Sequence, residues 1–242
     1  MSRIIMMVLS LIGTITVYVT SIFIPFNDVT AAEIMNRLPI LFTPASYVLV
    51  IWVFIYILLG GWIYNFWRTR DNYSHSVLNK RTVLFIFISL LNIVMIYSWH
   101  YEFFNLEFAV MLTILLLTAT LYFTYPKRKN HFWDRVPISL LFGCSVISLI
   151  ELTNYLLTFH EWSGWGLSNS LWAVIYLTIS TAIALHFMYH YRDIAFNLVF
   201  IWVFIGIAVK NGFDELFVST AALFLTFVIG AGLYLLKPSH KK

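Results

Sequence analysis

Leu38–Trp67 reads LPILFTPASYVLVIWVFIYILLGGWIYNFW. Two prolines, Pro39 and Pro44, punctuate its approach. A run of ~20 apolar residues follows, the length that crosses the hydrocarbon core of a bilayer. Trp52, Tyr56, Gly60 and Tyr64 recur every four residues, so a helix puts them on one face. Aromatics at the two ends of a span are ordinary interfacial anchors. The spacing places Trp52 nearer the middle, where its indole N–H must find a partner inside protein or ligand.

The remaining sequence has the same character. Of 242 residues, 61% are hydrophobic, 19% aromatic and only 11% charged, against about 25% charged in soluble domains. So few charges cannot cover a water-exposed surface of this size, which predicts an all-α polytopic membrane protein. The net charge of +4 does not point to nucleic acid, because the basic residues are spread over short loops between apolar runs. Cys144 is the only cysteine, which excludes an intrachain disulfide and a cysteine-based metal cluster. The basic start and long apolar run of MSRIIMMVLSLIGTITVYVTSIFIPF lack a small-x-small cleavage pattern and read as a retained first helix.

Hydropathy predicts about eight spans, at 4–24, 44–66, 82–99, 106–124, 137–158, 170–189, 194–209 and 215–236. With the N-terminus cytoplasmic, the inner segments hold thirteen of the fifteen basic residues. These include Arg68, Arg70, Lys80, Arg81, Lys127, Arg128, Lys129, Arg135, Lys237, Lys241 and Lys242. The outer segments keep only Arg37 and Lys210, with acids such as Glu102 and Glu107. This alternation follows the positive-inside rule and predicts a multi-pass cell-membrane protein with both termini cytoplasmic. The one long outer loop, 25–43, contains Thr30-Ala31-Ala32-Glu33 at capping-box spacing. A short helix is expected there, ending before Pro39, as either a lid or a connector. Thr43 is expected to cap the second span, with Pro44 at its first helical position.

Few residues could carry chemistry. Glu151 is the acid deep in a span, and a carboxyl there is costly unless neutral or paired, so a functional role is its default reading. Asn154 shares its helical face, and Asn92 is a weaker polar candidate in the third span. His186 and His190 have i, i+4 spacing but no metalloprotease Glu beside them, so they read as interfacial residues. No phosphate-cradling glycine loop and no nucleophile elbow is present, so no catalytic residue, metal site or cofactor is predicted.

Pro39, Pro44, Trp52, Tyr56, Gly60 and Trp67 match the spacing of a known motif, Pro-x-Trp-x-Pro-Pro-x-Trp followed by Gly-Pro-x-Trp-x-x-x-Tyr-x-x-x-Gly and a closing Trp. Leu91-Asn92, Phe103-Phe104 and Asn154-Tyr155 echo later parts of the same pattern. On these residues the chain resembles the tryptophan-rich sensory protein family, the TspO/MBR or translocator proteins. Leu41 and Ser46 stand where that family has its loop tryptophans, Tyr47 is adjacent, and Leu49-Val50 replaces Gly-Pro. The resemblance implies a TspO-like five-helix bundle over residues 1–158, with a structured first outer loop (25–43) lying over a ligand pocket. Residues 159–242 would then be three additional transmembrane helices and a basic tail, as in a longer bacterial branch.

The function expected is a non-enzymatic membrane sensor, binding or transport protein for an apolar planar ligand, tetrapyrrole- or sterol-like. The ligand-binding residues expected are Pro39, Pro44, Tyr47, Trp52, Tyr56, Gly60, Asn92, Glu151 and Asn154. The partners expected are the lipid bilayer and an apolar small molecule, with porphyrin or haem among the candidates, and no nucleic acid. A homodimer is an open alternative. So are a proton- or cation-coupled transporter built on Glu151 and a membrane scaffold protein.

Overall fold

The computed structural model describes residues 2–24, 26–126 and 132–235. Pro25, Lys127, Arg128, Lys129, Lys237, Lys241 and Lys242, all used in the topology argument, lie outside them. The described residues form nine α-helices and no strand. These are α1 (Ser2–Phe23), α2 (Ala31–Arg37), α3 (Ile51–Arg68), α4 (His75–His100), α5 (Phe104–Phe123), α6 (Phe132–Phe159), α7 (Asn169–Tyr191), α8 (Ile194–Asn211) and α9 (Leu216–Leu235). All but α2 belong to the eight segments long and apolar enough to cross a membrane. Connections of a few residues force neighbouring helices antiparallel. One end of the bundle carries α2 and is called here the capped end. It also holds the α4–α5, α6–α7 and α8–α9 turns.

The expected spans are present, with ends set by hydrogen bonding rather than by hydropathy. Helix α4 starts at His75, capped by the Ser74 hydroxyl, which accepts from Val77 N at 3.4 Å. That is a turn and more before its apolar run begins. In α6, Pro137 lies inside the helix in its second turn, where it leaves the Trp133 carbonyl without its i→i−4 donor.

The largest difference is at the head of the second span. Thr43 does not cap it: residues 43–45 are non-helical, Ser46–Val50 form a 3-10 turn, and α3 begins only at Ile51. Helix α8 is the cause. Ala45 N donates to Gly206 O at 3.1 Å and Trp202 Nε1 donates to Val48 O at 3.2 Å, which holds the segment flat against α8. Only glycine permits this approach, since a Cβ on Gly206 would overlap Val48 Cγ2 and sit 3.1 Å from Pro44 Cβ. Trp52 is consequently the second residue of its helix, near the capped end and not at mid-span. Trp202 is nearer the middle, and its N–H is satisfied by the chain itself.

Within the bundle, α4 packs between α1 and α5, and α5 on α6, while α3 lies against α6 and α1. Helix α8 packs on α6, α7 and α9, and its Phe196, Phe200, Phe204 and Ile207 are fully buried. At the end opposite the cap, Asp193 ties three helices together. Its carboxylate accepts from Tyr122 Oη at 2.8 Å, from Ser139 Oγ at 2.7 Å and, as the α8 N-cap, from Phe196 N at 3.0 Å. Arg135 Nε lies 3.5 Å from the same carboxylate.

Candidate functional site

The short helix α2 carries the reciprocal bonds of a capping box: Glu33 N donates to Thr30 Oγ1 at 3.2 Å, and Thr30 N donates to Glu33 Oε2 at 2.7 Å. The Thr30 backbone N–H, with its hydroxyl, holds the exposed Glu33 carboxyl below the usual carboxylate range. Ile34 and Met35 turn inward and are buried. Three contacts bind the helix to the bundle. Trp99 Nε1 donates to Ala31 O at 3.2 Å, Tyr155 Oη donates to Ile34 O at 3.1 Å, and Arg37 pairs with Glu102 at 2.8 Å. Residues 26–38 are therefore an ordered lid lying over the bundle.

Beneath this lid is a half-enclosed cavity of about 540 Å³, within the range of small-molecule sites. Helices α1 to α6 and the 46–50 turn all contribute to its wall. Tyr18, Tyr56 and Trp52 form one side, with Tyr18 and Tyr56 edge-on at 5.4 Å and Tyr56 and Trp52 at 6.0 Å. Trp99 and Tyr155, edge-on at 5.0 Å, form another. The rim includes Ile22, Val50 and Val53, all exposed, so the cavity opens between α1 and the head of α3.

Of the residues expected to bind ligand, Trp52, Tyr56 and Glu151 line this cavity. The other six lie off its wall. Pro39 is exposed in the connection after α2, and Pro44 is buried against Gly206 of α8. Tyr47 packs edge-on against Trp202 at 5.6 Å. Gly60 has open space where a Cβ would sit. Asn92 is buried and donates to Ile88 O at 2.8 Å, back onto its own helix. Asn154 is half-buried one turn beyond Glu151 on α6. His186 and His190 stack at 4.3 Å, and no cluster among the described residues could hold a metal ion.

Sequence reasoning missed two polar residues of the wall. Glu107 counts as an outer-loop acid by hydropathy, yet it lies in the first turn of α5 and only 7% of it is exposed. His100, the last residue of α4, is 1% exposed, and its Nδ1 is 2.8 Å from Ile96 O. Both are at the ends of apolar runs, where the sequence alone reads as surface. It is α2 and the Phe26 ring, 5.4 Å from His100, that cover this end of the bundle.

No curated protein and no solved structure matches the chain. A family model does: the one described as TSPO-like protein matches residues 4–235, the last three helices included. With eight bilayer-length helices within that match, the chain belongs to the TSPO-like family of multi-pass membrane proteins.

Proposed function

We propose that the protein is a non-enzymatic membrane sensor or carrier that binds an apolar, planar molecule in the cavity beneath α2. The observation that carries this reading is the aromatic wall of Trp52, Tyr56 and Tyr18 on a half-enclosed space of about 540 Å³. Concave, mostly apolar pockets with a few polar groups are the usual form of small-molecule sites. Flat rings stack well on Trp and Tyr faces, which supports a planar partner, tetrapyrrole- or sterol-like in shape. The family relationship supports a ligand-binding role without naming the ligand. The distribution of basic residues supports cytoplasmic termini, an orientation that a reporter fused to the C-terminus reads directly.

Titration of intrinsic tryptophan fluorescence with a planar chromophore, in purified protein in lipid nanodiscs, tests the binding. Saturable quenching is expected, weakened about tenfold or more by Trp52→Ala or Tyr56→Ala, since one lost aromatic contact is worth roughly 1–2 kcal/mol. Quenching that never saturates, or that is as strong in both variants as in the wild type, would sink the proposal.

A further inference from the structure

The polar groups of the cavity are unevenly satisfied. Its donors are partly used: Tyr18 Oη donates to Leu49 O at 3.0 Å, Tyr155 Oη to Ile34 O and Trp99 Nε1 to Ala31 O. Its acceptors are not. Glu107 Oε2, Glu151 Oε1 and His100 Nε2 are each buried without a hydrogen-bond partner among the described residues. The short contact of His100 Nδ1 with a carbonyl places the ring proton on Nδ1, so the neutral ring presents Nε2 as an acceptor. Leaving a buried polar atom unpaired is costly, so three of them round one cavity indicate that something else supplies the donors.

The charges point the same way. No lysine or arginine lines the cavity. Lys210 of α8 takes part in none of the ion pairs among the described residues. Arg37 is engaged by Glu102 above the lid. Glu107 and Glu151 stand on the packed neighbours α5 and α6, and both line the cavity. A carboxylate-bearing ligand would add a third acid to this space with no cation on the wall to meet it. A positively charged nitrogen would satisfy two acids at once and lie beside Trp and Tyr faces that attract cations. The cavity's mouth is rimmed by exposed Ile22, Val50 and Val53 on bilayer-spanning segments, so the ligand arrives from the lipid.

We infer that the cavity takes a membrane-partitioned planar amine, its protonated nitrogen held between Glu107 and Glu151 and its rings against Trp52 and Tyr56. This rests on the binding function proposed above and narrows its ligand: a tetrapyrrole carrying free carboxylates fits this wall worse than an amine of the same size.

Three probes with one ring system separate the possibilities: 1-pyrenemethylamine, 1-pyrenemethanol and 1-pyrenecarboxylate, titrated by energy transfer from tryptophan in nanodiscs of zwitterionic lipid. The amine is expected to bind at least about tenfold more tightly than the alcohol, and the carboxylate most weakly. Glu107→Gln with Glu151→Gln, which keeps shape and removes charge, is expected to bring amine and alcohol together. Saturable binding of all three with equal affinity to the wild type overturns the amine assignment and leaves the apolar site standing. Saturable binding of none overturns both. Because wild-type selectivity alone decides, the test does not depend on the double variant folding.

Discussion

At the scale of single residues, the same chemistry has opposite consequences at the two ends of the bundle. Glu107 and Glu151 are buried with unpaired oxygens beside an open space. Asp193 is buried with its carboxylate satisfied by Tyr122, Ser139, Phe196 N and Arg135. The first arrangement is what a binding site needs, and the second holds helices together. Asp193→Ala would leave Arg135 in a buried place without its counter-charge and remove the α8 cap. It is expected to cost about 3–5 kcal/mol in thermal or denaturant unfolding of the detergent-solubilised protein. Asp193→Asn, which keeps the shape and one acceptor oxygen, enough for the cap, should cost less, and a negligible loss in both would contradict the assigned role. Sequence could single out Glu151, because it interrupts an apolar run, and Trp52 and Tyr56, because their spacing matches a family motif. It could not single out Glu107 or His100. Their burial comes from segments distant in sequence, α2 and Phe26, folding over them.

At the scale of elements, α2 decides whether the cavity has a roof. Its capping box was legible in Thr30 and Glu33, because both partners lie within four residues of each other. Its docking was not, because Trp99, Tyr155 and Glu102 reach it from α4, α6 and the turn after α4. The head of α3 shows the same limit: Thr43-Pro44 has the local signature of a helix start, and contacts with Gly206 and Trp202 on α8 override it. The lid's stability should be sensitive to its cap. Thr30→Ala is expected to lower amide protection across 31–37 about fivefold, for a typical cap loss of ~1 kcal/mol, and leave α4 to α6 unchanged. The pH dependence has a fixed sign. Glu33 has a lowered folded-state pKa, so its contribution is full above about pH 4.3 and fades as pH falls through the folded value. Protection factors at Ile34, whose N–H bonds to Thr30 O at 3.2 Å, should therefore drop on acidification in the wild type. They should be pH-independent over that range in Glu33→Gln; equal behaviour of the two would remove the carboxylate from the account.

At the scale of the whole molecule, the membrane makes the spans easy to read and their arrangement hard. Backbone polar groups in hydrocarbon must be satisfied within a helix, so eight apolar runs of the right length already imply eight helices. Which faces meet is a different matter. Lipid tails are as apolar as leucine, so no hydrophobic stripe marks the inner face, and close packing at small residues decides instead. Gly61 is an instance: a Cβ there would sit 2.7 Å from Trp133 Cε3 on α6. The neighbouring Gly60 looks identical in sequence, yet a Cβ there would meet no atom within 4 Å. The assembly that results puts the one aromatic-walled cavity described here under the lid, with its mouth toward the lipid. The measurement that tests this most directly is photolabelling in native-like membranes with a diazirine-bearing planar apolar probe, read by peptide mapping. Saturable labelling on the cavity wall, at Trp52, Tyr56, Met95 or Met111, competed by unlabelled probe and lost in Trp52→Ala, is the result expected. Labelling confined to lipid-facing residues such as Phe224 and Phe227 of α9, with no competition, would contradict it.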